Sequence, residues 1–169
     1  EIERIDAATA AAFLNLHHSY GTAKAQYKYG MYLKGEIVAV SLFSSARNIP
    51  RMIEGRQKVL RSYEWVRYAS ISGSRISGGM SRMLARFTRD VSPNEVMSYA
   101  DLEWSEGAAY ARMGFRKAGM TGPVTFWVNP ATCARERTDG GEGVEIHNFG
   151  SLKYLKLIDF TNGNYDNTL

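Results

Sequence analysis

One stretch limits the choice of fold more than any other. Tyr63 to Ile71, YEWVRYASI, is rich in strand formers and alternates in part. The small-residue loop SGSRISGG follows, and then MSRMLARFTRD sets Met80, Met83, Leu84 and Phe87 at helical spacing. Arg82, Arg86 and Arg89 fall on other faces of that helix. A strand feeding through a tight loop into an amphipathic helix is an α/β element. Such a loop also has a chemical use. The first amides of a helix lack intrahelical acceptors, and the helix dipole is positive there, so phosphate binds. Gly78 and Gly79 let the backbone approach closely, Arg75 can add a charged contact, and Ser77 and Ser81 carry hydroxyls. The Gly-Lys-Ser/Thr ending of a P-loop is missing, as is GxGxxG. What is left, Arg-x-x-Gly-Gly, is equally a tight strand-to-helix turn.

The rest of the chain suggests hairpins beside this unit. Asp6 can cap a helix running through the alanines to His18. Met31–Leu33 and Ile37–Phe43 read as strands around Lys34-Gly35-Glu36. Residues 45–62 read as a loop with at most a helical turn. Glu95–Ala100 is a short strand, and Ser105–Met113 a short helix ended by Gly114. Arg116–Met120 and Val124–Val128 read as a closing hairpin across Thr121-Gly122-Pro123. Beyond Pro130 the pattern fades. Residues 138–143 form a flexible break, VEIHNFGSLKYLKLIDF is a strand or short helix, and GNYDNTL is a frayed end. The expected class is an α/β sheet of mixed direction.

Composition narrows the classes. With 169 residues, 44% hydrophobic and 12% aromatic, the chain suits one folded domain over 1–169 rather than disorder. No window approaches the roughly 18 apolar residues of a membrane span. Cys133 is the only cysteine, so no internal disulfide forms. The opening Glu1-Ile2-Glu3-Arg4 does not read as a secretory leader, and a cytoplasmic location is the expectation. The net charge is 21 − 17 = +4. Between Arg47 and Arg61 five basic residues (Arg47, Arg51, Arg56, Lys58, Arg61) face one acid, Glu54, so 5 − 1 = +4. That stretch is a candidate seat for an anion, or a solvated loop. His17 and His18 are adjacent, about 100° apart on a helix, and a shared metal is not expected. Asp101 and Glu103 follow a strand end, where α/β sites lie, and Asp101 is a candidate base.

From about residue 27 to 129 the chain resembles the GNAT acyltransferase superfamily. Arg75 and Gly78 match the first fixed positions of its Arg/Gln-x-x-Gly-x-Gly/Ala loop, while Met80 stands where Gly or Ala is usual. Tyr110-Ala111-Arg112-Met113-Gly114-Phe115 matches the family's Tyr before a Gly-Phe pair. The Asn often found at the start of that helix is missing, with Glu103, Trp104 and Ser105 nearby. The Lys-Gly-Glu hairpin fits the family's second and third strands. A narrower likeness is to the Mom-type DNA-modification proteins of phages and mobile elements. It rests on FLNLHHSYG, YEWVRYAS, SGGMSRML and SYADLEWSEGAAYARMGF.

The resemblance implies a mixed, mostly antiparallel sheet flanked by helices, with a core over 27–129 and an extension over 130–169. It implies acetyl-CoA or another acyl-CoA as cofactor, its pyrophosphate on Arg75, Ser77, Gly78, Gly79, Met80 and Ser81. A backbone N–H near Ala69, Ser70 or Ile71 would polarise the thioester carbonyl. Tyr110 would protonate the leaving thiolate, and Glu64 would serve as base. The implied reaction is acyl transfer, most simply acetyl, to an amine. The narrower likeness makes a DNA base an alternative acceptor. A binding module that has lost the chemistry is the other alternative, suggested by Met80 and the missing Asn.

Overall fold

The computed structural model describes residues 1–133, 135–136 and 143–158. The expected frayed end at GNYDNTL and most of the 138–143 break lie outside them. The described chain forms two compact units, Glu1–Ser98 with residues 156–158, and Tyr99–Leu155.

The first unit holds β1 (Ile2–Arg4), α1 (Ala7–His17), β2 (Tyr27–Leu33), β3 (Glu36–Phe43), β4 (Arg47–Ile53), β5 (Arg56–Ser70) and α2 (Gly79–Val91), and it includes the start of β6 (Glu95–Asp101). Asp6 caps α1 as expected, its carboxylate accepting from the Thr9 N–H at 2.7 Å. β2 and β3 form the hairpin, with Lys34 (φ 52°) and Gly35 (φ 84°) both left-handed, the pair a two-residue hairpin turn demands. Strand order in this unit is β1-β2-β3-β5-β6. Every pair is antiparallel except β5 with β6, which run parallel at Ser62–Glu64 against Glu95–Met97.

Residues 47–62 are not a loop. β4 pairs with β5 from Arg47↔Ser62 to Ile53↔Arg56, around a second left-handed turn at Glu54 (φ 51°) and Gly55 (φ 72°). The charges hide the strand pattern, because both faces of this ribbon meet water near its tip. Pro50 is tolerated because it lies on an edge. β3 and β4 take the same side of β5, and Ser44 links them: its N–H donates to Glu64 O at 2.9 Å and its hydroxyl accepts from the Glu64 N–H at 2.9 Å.

Helices cover both faces of this sheet. Ala10, Phe13 and Leu14 of α1 pack on Val40, Leu42 and Ala69. On the other face Phe87 of α2 stacks on Phe43 with centroids 3.9 Å apart, and Tyr27, Tyr29 and Tyr63 meet it edge-on. The architecture is a mixed, mostly antiparallel sheet flanked by helices.

The second unit begins with the end of β6 and holds α3 (Ala108–Arg112), β7 (Arg116–Thr121), β8 (Thr125–Val128), β9 (Arg135–Glu136), β10 (Val144–His147) and most of β11 (Ser151–Leu157). The expected hairpin between 116–120 and 124–128 does not form. β7 pairs with β11, while β8 lies between β10 and β9. Asn148 explains the switch. Buried, it accepts from the Val124 N–H at 2.7 Å and the Gly150 N–H at 3.1 Å, so the chain after β7 is tied to the start of β11.

Glu95 is buried at 1% exposure, and its carboxylate accepts both Arg51 bonds at 2.9 Å and the Ser62 hydroxyl at 2.7 Å. Removing one partner strands a buried charge, whereas removing both does not. Arg51→Met should therefore lower unfolding free energy by about 3 kcal/mol in urea titrations, and Arg51→Met/Glu95→Met should recover much of the loss. A double variant no more stable than the single one would contradict this.

Candidate functional site

β5 carries the chain to the candidate loop. Its ladder with β3 shifts register between Leu42↔Arg67 and Phe43↔Trp65, so Val66 is an extra, bulged residue. Bulges bend a strand and re-aim its side chains. The Ile71 N–H donates to Val38 O at 2.9 Å, so that amide is spent. Alternation along an antiparallel ladder then turns the Ser70 N–H away from β3. Of the central-strand amides expected to act, Ser70 is the one so directed.

The loop itself is built as a helix start without a cap. Gly78 takes φ +66° and offers no side-chain bond. The Gly79 N–H donates to Ile76 O at 3.0 Å, and the Arg82 N–H to Gly78 O at 3.0 Å. That leaves the amides of Met80 and Ser81 without acceptors from the helix or a capping side chain. Gly79 is pressed against the strand: a Cβ there would meet the Tyr68 hydroxyl at 2.4 Å and Ile76 at 3.1 Å. Arg75, Ser77, Gly78 and Ser81 are exposed, while Met80 is half-buried. The residues present therefore fit a diphosphate. Close approach is open at Gly78, and among the described residues two amides are unspent and Arg75 is available. A cleft of about 540 Å³ borders the loop at Ile76 and runs past Met31, Val38 and Arg82, without including Arg75 or Gly78.

Other expected site residues are engaged elsewhere. Glu64 on β5 accepts from Arg47 at 2.6 Å. Arg51 holds Glu95, and the hydrogen bond with Glu95 raises the Arg51 pKa. Arg61 donates to Ser92 O at 2.7 Å. The sequence count of +4 over 47–61 thus meets Glu64 and Glu95 in space. With those two acids included, the local charge is 5 − 3 = +2. Arg56 and Lys58 point to one face of the exposed ribbon.

Asp101 and Tyr110 belong to the second unit. One Asp101 oxygen accepts from the Glu103 N–H at 2.9 Å, and the other lies 3.4 Å from the Asn148 amide nitrogen. Its carbonyl takes the Trp104 and Ser105 N–H groups at 3.0 Å each. Tyr110 on α3 stacks on Tyr154, centroids 5.4 Å apart, with Phe115 edge-on. Glu103 pairs with Arg135 at 2.6 Å. Among the described residues no cluster of three His, Cys, Asp or Glu side chains could hold a metal.

The arrangement in the first unit decides the fold type: antiparallel β2, β3 and a bulged β5, a parallel β6, and an uncapped helix directly after β5. The fold is that of the GNAT acyl-CoA N-acyltransferases. The ribosomal-protein-S18-alanine N-acetyltransferase of Escherichia coli superposes with a TM-score of 0.59 at 13% identity, covering 97% of each chain. A GNAT family acetyltransferase from Elizabethkingia anophelis with acetyl-CoA bound gives 0.58 at 12% identity, over 94% of this chain and 97% of that one. A Bacillus subtilis acetyltransferase in complex with CoA gives 0.57 at 11% identity, over 92% and 96%. No family model and no curated protein matches the sequence. No helix among the described residues is long and apolar enough to cross a membrane.

Two features of this GNAT fold escaped the sequence reading. The first is the hold of α1 on the loop: His17 Nδ1 accepts from the Ser72 N–H at 3.2 Å and lies 2.9 Å from its hydroxyl. The second is His18, whose Nδ1 accepts from the Tyr20 N–H at 3.1 Å. Burial, then the Arg67 charge, pushes the His18 pKa from 6.5 to about 4. Adjacent histidines in sequence carry no sign of either role.

The sign of the His18 effect follows from proton uptake. Below pH 6.5 the unfolded chain binds a proton at His18, and the folded chain does not until about pH 4. Stability should fall as pH drops through that window and then level off. His18→Asn, which keeps an acceptor for Tyr20, should flatten this part of the profile in urea unfolding at pH 7, 5.5 and 4.5. An unchanged profile would show that His18 is not the group responsible.

Proposed function

We propose that the chain is an acyl-coenzyme A-dependent N-acyltransferase that transfers an acetyl group to an amine by direct attack. The observation that carries this reading is the uncapped start of α2. After a bulged GNAT-type strand, Gly78 is left-handed, Gly79 is pressed against Tyr68, and the Met80 and Ser81 amides have no acceptor among the described residues. Structural neighbours with acetyl-CoA or CoA bound support the cofactor class.

When bound, acyl-coenzyme A would supply an acyl group activated as a thioester, with the coenzyme A thiolate as leaving group. The residues of this chain have three tasks. Met80 and Ser81 donate main-chain hydrogen bonds to the diphosphate, and Arg75 adds a cation. The Ser70 N–H is the amide suited to stabilise charge on the carbonyl oxygen. A base must take a proton from the attacking amine, and an acid must return one to the departing sulfur. Glu64 is the favoured base: Arg47 engages one of its oxygens and the other has no partner among the described residues, whereas both Asp101 oxygens already have contacts. Tyr110 is the proposed acid.

Calorimetric titration with acetyl-CoA tests the reading. Arg75→Glu should weaken binding about tenfold, and Gly79→Val, which forces a side chain into Tyr68, by at least as much. In a thiol-release assay with an amine panel, Tyr110→Phe should lower kcat while leaving acetyl-CoA affinity intact. A folded wild-type protein that takes up no acetyl-CoA at high micromolar concentration would overturn the proposal.

The second acceptor reading is a base in DNA. It is favoured by the basic ribbon, where Arg56 and Lys58 share one face and Arg61 binds a main-chain carbonyl of Ser92, not an acid. DNA affinity should then fall with salt and drop on Arg56→Glu/Lys58→Glu. Binding without turnover on any amine would instead mark a module that has kept the fold without the chemistry.

A further inference from the structure

The segment from Ile71 to Gly78 joins β5 to α2, and its positions 75–78 would carry the first part of the diphosphate seat. Most of its hydrogen bonds are internal to the strand–loop–helix segment. The Ser74 N–H donates to Ile71 O at 3.2 Å, the Ser70 hydroxyl to Ser74 O at 3.2 Å, and Arg82 to Ser77 O at 3.0 Å. Bonds of this kind shape the loop but do not fix it against the rest of the unit. Among the described residues, hydrogen bonds from two other elements do. Val38 O accepts the Ile71 N–H at the strand end, and His17 grips Ser72.

His17 is the last residue of α1, so its ring is carried by a helix whose Ala10, Phe13 and Leu14 are buried in the core. The Phe13 ring lies one turn earlier, with centroids 4.5 Å apart and planes tilted by 52°, and limits how the imidazole can turn. Because Nδ1 accepts from the Ser72 N–H, the neutral ring carries its proton on Nε2. The imidazole is thus an acceptor held on a rigid arm, and the loop amide is what it holds.

We propose that His17 is a positioning residue for cofactor binding: by fixing Ser72 to α1 it sets the place of the loop that presents Arg75 and Gly78. This rests on the reading of that loop as the diphosphate seat. An ordered loop meets its ligand without first losing conformational freedom, so loosening the clamp should appear as lost affinity. Ser72 itself need not touch the ligand.

The test compares wild type, His17→Ala and His17→Asn. The Asn side chain places an oxygen near the position of Nδ1, so it should keep the bond to the Ser72 N–H. In calorimetry with coenzyme A, His17→Ala should raise Kd roughly three- to tenfold, the equivalent of one lost neutral hydrogen bond, and His17→Asn should restore it. Hydrogen exchange on the ligand-free proteins gives an independent reading. Loop amides 72–78 should exchange faster in His17→Ala than in wild type, with the β3–β5 ladder unchanged, and His17→Asn should again resemble wild type. Equal exchange and equal Kd in His17→Ala and wild type would overturn the inference, as would a His17→Asn variant no better than His17→Ala. If wild type takes up no coenzyme A, the transferase reading fails, while the exchange arm still decides whether His17 holds the loop.

Discussion

The first turn of α2 touches β5 so closely that position 79 has no room for a side chain. With a Cβ only 2.4 Å from the Tyr68 hydroxyl, any larger residue there must displace the Tyr68 ring or the helix. This contact aims the start of the helix along the end of the strand. The sheet holds the strand in turn, through β3 and β4 on one edge and three residues of β6 on the other. Phe87 anchors the far part of the helix against Phe43 and Tyr63. Amide donors at a helix start have direction only when the helix is held this way.

The ribbon at 47–62 shows how charge can mislead when it is counted along a chain. Five basic residues close in sequence suggest a free cationic surface. In space, Arg47 and Arg51 have crossed to Glu64 and Glu95, and they stabilise the base of the ribbon where it leaves the sheet. Glu95 lies 44 residues from Arg51, beyond the reach of any local pattern. What is left for a partner is the outer end, around Arg56 and Lys58.

Local signals made much of the architecture legible. Asp6 ahead of an alanine run, Gly35 in its turn, and Met83, Leu84 and Phe87 at helical spacing all act over a few residues, and all form as the sequence suggests. The strand–loop–helix unit that carries the candidate site was readable for the same reason. What failed depends on distant partners. β7 prefers β11 to the nearer β8 because Asn148 satisfies the backbone at Val124 and Gly150. The bulge at Val66 arises from register with β3, and the bond of His17 spans 55 residues. Neither leaves a mark on the residues beside it.

The central claim is that the amides opening α2 receive a diphosphate. The most direct measurement follows the backbone N–H resonances of the ¹⁵N-labelled protein during titration with coenzyme A. The account predicts that Met80 and Ser81, with Gly78, show the largest shifts, saturating together on one binding curve. Saturable shifts confined to other parts of the chain, with these three unmoved, would contradict it.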